Sequence, residues 1–166
     1  MKTEWRGGRR RTLTLLLVGA VAPAAWLAGC ASGGGVRDPS VLEREIGRVA
    51  YQDVNLTVDK ILTTKYAFPI RRHEENYNTL YFETDWIPRD AEPDEVNRGV
   101  QRVRTRIILT GRRGSQDIFR IQFRGESEYL IDGQWRRLPL QSPQREKLQR
   151  ILSDLDMEMR SGVRTR

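Results

Sequence analysis

Few residues in this chain could carry chemistry, and their types and spacing narrow what that chemistry could be. The 166 residues include one cysteine, Cys30, and one histidine, His73. A zinc site built on several histidines is therefore excluded. His73 sits between Arg71-Arg72 and Glu74-Glu75, which reads as a solvated turn histidine in preference to a general base. Asp90, Glu92, Asp94 and Glu95 crowd one stretch. Pro88 and Pro93 stiffen it, and it lacks the ligand spacing and central glycine of a calcium-binding loop, so it reads as a solvated connection. No metal, cofactor or catalytic residue is expected. The richest pattern is a row of arginines. Arg102, Arg104 and Arg106 alternate along an extended stretch and so share one face, and Arg120, Arg124, Arg112 and Arg113 enlarge it. Guanidinium groups bind carboxylates and phosphates through paired donors. Arg102, Arg104, Arg106, Arg120 and Arg124 are accordingly the candidate binding face.

Cys30 has a different chemistry, set by what precedes it. Lys2, Arg6, Arg9, Arg10 and Arg11 make a cationic start, Leu13 to Leu27 an apolar middle, and small residues lead to the cysteine. This is the order of a secretory signal peptide. Leu27-Ala28-Gly29-Cys30 resembles a bacterial lipobox. The resemblance implies cleavage between Gly29 and Cys30, a diacylglyceryl thioether on the sulfur and an acyl chain on the new amino group. Two or more chains hold a protein stably on a bilayer where one chain does not, so the mature protein is expected to be anchored without spanning. The competing reading, an uncleaved helix from Leu13 to Ala28, falls short of the roughly 20 apolar residues a span needs and is weakened by Gly19 and Pro23. Arg9-Arg10-Arg11 also resembles a twin-arginine signal, which leaves the export route open.

Removing residues 1–29 leaves 137, enough for one domain. The net charge of +7 is misleading, because the leader holds five basic residues against Glu4 and leaves +3 on the mature chain. An exported protein of that charge is not expected to bind nucleic acid. With Cys30 acylated no disulfide is possible, so stability must come from an apolar core.

The elements that must position the arginines follow from periodicity. Residues 30–39, with Ser32-Gly33-Gly34-Gly35, read as a lipidated flexible tether. Ser40 to Lys65 reads as one long helix or two abutting ones, capped by Asp38 or Ser40, with Leu42, Ile46, Val49 and Ala50 on one face. Tyr66 to about Arg72 reads as an edge strand, Glu74 to Asn78 as a turn, and Thr79 to Ile87 as a strand. In that strand Leu80, Phe82, Thr84 and Trp86 face inward, while Tyr81, Glu83 and Asp85 face outward. Pro88 to Asn97 breaks the pattern. Val100 to Gly111 is a strand, Gly111 to Ser115 a turn, and Asp117 to Arg124 the next strand. Gly125 reads as a bulge before a final strand at Glu128 to Ile131, with Asp132-Gly133 closing a small hairpin onto Trp135. Ser142-Pro143 starts a helix whose stripe is Leu148, Ile151, Leu152, Leu155 and Met159, with Gly162 as its stop. The expected fold is α+β. It is a single two-layer domain over residues 40–162, an antiparallel sheet of four to five strands with an N-terminal and a C-terminal helix on one face, and residues 163–166 form a frayed tail.

The Asn55 to Leu62 helix, the Tyr66 to Ile70 extended piece, Leu80-Tyr81-Phe82-Glu83-Thr84-Asp85-Trp86, the arginine-rich strand, the Gly133-Gln134-Trp135 corner and the Leu148 to Leu155 helix are together similar to the repeating domain of the BamC family, lipoprotein components of the β-barrel assembly machinery. The resemblance spans about residues 50–160, and Glu83-Thr84-Asp85-Trp86 is its most distinctive piece. It implies a helix-grip domain, an outer-membrane anchor and a non-catalytic role in an assembly. That family carries two such domains after a long arm, whereas this chain shows a short tether and one domain. The expected function is a membrane-anchored envelope lipoprotein that binds another envelope protein at the periplasmic side of the outer membrane, with Ala31 after the cysteine favouring that membrane over the inner one. The alternative is a binder of anionic lipid or lipopolysaccharide through the arginine face.

Overall fold

The computed structural model describes residues 38–115 and 117–164, the side chains of 162–164 excepted. The leader, Gly29, Cys30 and most of the tether lie outside the described residues. Seven antiparallel strands, β1 (Val41–Ala50), β2 (Ile70–Glu75), β3 (Thr79–Thr84), β4 (Ile87–Asp90), β5 (Arg102–Ser115), β6 (Ile118–Ile131) and β7 (Gln134–Arg136), form one sheet in the order β1-β6-β5-β3-β2, with β4 paired to β5 and β7 paired to β6. The α+β class and the antiparallel sheet are as expected; the main path has five strands, and the short β4 and β7 bring the total to seven.

The largest difference is at the start. Val41–Ala50 is a strand, β1, and only from Tyr51 does the chain become helical, as α1 (Tyr51–Val58) followed by a π-helical segment (Asp59–Lys65). The expected helix from Ser40 is thus corrected over its first eleven residues, of which Ser40 is turn and the rest strand. The cause is a bulge. Register against β6 slips between Glu45 and Gly47, and Gly47 has a φ of 121°, a backbone region that glycine enters without strain. The extra residue moves the next inward position from 48 to 49. The buried set Leu42, Ile46 and Val49 therefore mimics helical spacing in an extended chain. Arg44, on the inward parity but exposed, hides the alternation further. Asp38 caps no helix. Its carboxylate accepts from the Ser40 amide (2.9 Å) and hydroxyl (2.6 Å) in the turn before β1.

β2 (Ile70–Glu75) and β3 (Thr79–Thr84) form a hairpin, so the turn begins at Asn76, two residues later than expected. The Asn76 side-chain oxygen accepts from the Asn78 and Thr79 amides and closes it. β3 ends at Thr84 and the chain resumes as β4 (Ile87–Asp90), which prolongs the β3 row along β5 (Arg102–Ser115). The break is chemical. The Thr84 hydroxyl accepts from the Ile107 amide, and the Asp85 amide donates to the Pro69 carbonyl, so alternation is reset before Trp86. The expected acidic connection instead holds β4 and a short helix, α2 (Pro93–Val96), with a reciprocal cap between Glu92 and Glu95.

β5 and β6 (Ile118–Ile131) are both 14 residues long and pair along almost their full length. The expected turn at Gly111 to Ser115 is therefore strand, and the reversal falls after Ser115. Gly111 sits inside β5 because Ile121 and Leu80 leave no room for a Cβ (2.9 and 3.1 Å). Gly125 makes no bulge. It pairs with Ile107 on one side and Leu42 on the other. β7 (Gln134–Arg136) closes the expected hairpin through Asp132-Gly133. α3 (Ser142–Arg164) starts where the Ser-Pro signal places it, but it runs through Gly162, which is no stop.

The core lies between the inner sheet face and the helices. Phe82, Leu109, Phe119 and Phe123 from the sheet meet Val54 and Leu62 from the first helical stretch and Leu148, Ile151, Leu155 and Met159 from α3. A smaller cluster of Val100, Val103 and Tyr129 seals the α2 end. Among the described residues no helix lies on the outer sheet face, and no helix is long and apolar enough to cross a membrane.

Candidate functional site

The outer face is built by β3, β5, β6 and β7. On β5, Arg102, Arg104 and Arg106 alternate with buried Val103, Thr105 and Ile107, so the expected shared face of the arginines is present. The register then does what the sequence reading missed. It sets Arg104 opposite Glu128 and Arg106 opposite Glu126. Arg104 donates through Nε (2.9 Å) and a terminal nitrogen (2.6 Å) to one Glu128 oxygen. Arg106 donates from Nε to Glu126 (2.9 Å) and from a terminal nitrogen to Glu83 on β3 (2.6 Å). Arg124 donates to the other Glu126 oxygen at 2.6 Å, and Arg137 reaches Glu126 at 3.5 Å and Glu128 at 3.6 Å.

Glu126 is the centre of this lattice, with a side chain only 3% exposed. Burial alone would push its carboxyl up, but hydrogen bonds from Arg124 and Arg106, with their charges, outweigh that and hold it below the usual carboxylate range. Arg102 and Arg120 sit apart from the centre. Arg102 lies 3.9 Å from Asp90 and Arg120 lies 3.5 Å from Glu45, all four strongly exposed. The structure thus brings Arg104, Arg106 and Arg124 together and leaves Arg102 and Arg120 as exposed flanks.

Two tryptophans complete the face. The Arg104 guanidinium lies over both rings, 4.2 Å from the Trp135 ring centre and 4.8 Å from that of Trp86, and Arg106 lies 4.6 Å from Trp86. Trp86 is therefore on the outer face and not, as the alternation of Thr79 to Ile87 implies, in the core. Each contact is a cation–π pair of the kind arginine forms best. Arg72 extends the belt over Tyr81 at 5.3 Å. The signal for Glu126 and Glu128 was present as Arg-Gly-Glu-Ser-Glu at 124–128, which reads as outward alternation only when Gly125 is taken as strand.

The remaining candidates lie elsewhere. His73 is on β2, exposed, with its ring stacked on Phe82 at 4.3 Å. In the acidic stretch, buried Glu95 receives two 2.7 Å bonds from Arg89. Burial opposes its ionisation, and those bonds with the Glu92 amide outweigh it and keep the carboxyl low. Asp90 is exposed at the edge. Among the described residues no group of three or more histidines, cysteines or carboxylates converges as a metal set.

Searched against models of protein families the chain matches none, and no curated protein aligns with it significantly.

Proposed function

We propose that this chain is a membrane-anchored envelope lipoprotein whose α+β domain binds another envelope protein through the outer sheet face, without turnover. The observation that carries the reading is the packing of Arg104 on both Trp86 and Trp135, on a face that no helix covers among the described residues. Tryptophan and arginine are the residues that dominate binding energy at protein interfaces, and a sheet face with rigid, mutually packed anchors is pre-organised for docking. The lipobox-like Leu27-Ala28-Gly29-Cys30 supplies the anchor, Ala31 favours the outer membrane over the outer leaflet of the inner one, and the resemblance to BamC domains suggests accessory work in outer-membrane assembly.

The arginine pairing also bears on the lipid-binding alternative. Arg104, Arg106 and Arg124 already spend their donors on Glu128, Glu126 and Glu83, which leaves less positive charge for headgroup phosphates than the row of arginines implies. Photo-crosslinkers at Arg102, Arg120 and Trp135 in cells test the reading. Capture of one protein, lost on Trp135→Ala, supports it. Crosslinks to lipid alone, or to nothing, overturn it.

A further inference from the structure

The described sheet ends at β1, whose far side carries no strand. Its two halves differ. In the second half Arg160 of α3 donates to the Ile46 carbonyl at 3.2 Å, which closes that part of the edge, and the Gly47 bulge twists it. Beside the first half lies a cavity of about 670 Å³, lined on the strand by Val41 to Glu45 and flanked by Arg124 and by Arg145 of α3. A smaller one of about 290 Å³ continues between β1 and α3 past Leu152. An edge strand with a helix along one side is the geometry in which an extended peptide is added to a sheet, main-chain bonds giving affinity and alternate side chains giving selectivity.

We propose that the edge of β1 from Val41 to Glu45, which no strand covers among the described residues, takes up an extended segment of a partner protein as an added strand, with basic residues opposite Glu43 and Glu45 and an acidic residue between them. The charge pattern selects this occupant. Glu43 and Glu45 are exposed on the outer side, held only by Gln122 and by the loose Arg120 contact. Arg44, on the helix side, and Arg145 have no ion-pair partner among the described residues, so an intervening acid meets two cations. A second copy fits poorly. Antiparallel pairing centred on Arg44 places Arg44 on Arg44 and Glu43 on Glu45, and centring on either glutamate sets it against itself. Like charges directly opposite are destabilising. This edge is separate from the tryptophan face, so failure of the face as a docking surface leaves the proposal standing, and the reverse.

The test uses the full chain in detergent micelles and two blocked seven-residue peptides with valine and threonine flanks, one with Lys-Glu-Lys at its centre and one with Glu-Lys-Glu. Hydrogen exchange locates the site and titration gives the affinities. The Lys-Glu-Lys peptide is expected to slow exchange within Val41–Glu45 and to bind about tenfold tighter, the size that two or three exposed pairs carry when attraction is exchanged for repulsion. The triple variant Glu43→Lys, Arg44→Glu, Glu45→Lys is expected to invert the preference. Equal affinity for both peptides, or protection mapping to the Trp135 face, overturns the proposal. So does protection of Val41–Glu45 that rises with protein concentration and no peptide, which would assign the edge to a second copy.

Discussion

Gly125 lies directly beneath Leu148, so close that a Cβ at position 125 would stand 2.5 Å from one Leu148 methyl and 3.0 Å from the other. The glycine is the seat by which α3 settles onto β6. Gly125→Ala is therefore expected to lift the helix and to cost about 1–3 kcal/mol, the usual range for overpacking. Urea denaturation would measure it. Leu148→Ala is expected to cost less in the Gly125→Ala background than on its own, because there it also removes the atoms that clash.

Glu126 binds Arg106 and Arg124 from a buried position. Glu126→Ala strands guanidinium groups that can still turn partly to water, so about 2–3 kcal/mol is expected. Glu126 and Glu95 both have carboxyls held below their ordinary value in the fold. Such groups stabilise the folded state above the unfolded value of about 4.3, and the contribution is lost as pH falls from there through the lower folded values. Stability measured from pH 6 to pH 2 should fall in this window, and Glu126→Gln should flatten the fall while lowering the plateau above it.

Trp86 and Trp135 sit on the outer face, so truncation should cost less than in the core. Trp86→Ala is expected to lose about 1–2 kcal/mol, chiefly two cation–π contacts and partial burial, against about 3–5 kcal/mol for Phe123→Ala. Thermal melts of the two variants give the ordering. Trp135→Ala should melt close to wild type and lose crosslinked partner.

Cys30→Ser should leave the domain folded and release it from membranes. Fractionation of cells, with labelled acyl precursor as the check on lipid, reads both halves of the expectation. Retention of the variant in the membrane fraction would argue against acylation as the anchor.

The parts of the fold with clean alternation or a strong start signal were legible from residues alone. β5 alternates arginine with aliphatic residues, the inner face of β6 carries Phe119, Ile121 and Phe123, and Ser142-Pro143 marks α3. Much of what was hidden had a cause repeated three times: a glycine whose role is set by its surroundings. Gly47 makes a bulge that turns a strand's spacing into a helix's, whereas Gly111 and Gly125 sit in unbroken strands because Ile121 and Leu148 need the room. Reading Gly125 as a break also removed Glu126 and Glu128 from the arginine face, and Trp86 was misplaced because Thr84 spends its hydroxyl on the Ile107 amide. Each depends on contacts distant in the chain.

At the centre of the outer face Arg104, Arg106 and Arg124 are bonded sideways, into the sheet, by Glu83, Glu126 and Glu128. A surface with its charges cancelled in place has little long-range field with which to draw a partner in. Encounters should therefore proceed at the unaided diffusional rate and change little with ionic strength, and the lifetime of the complex, set by how well a partner packs on two indole rings, would decide whether it forms at all.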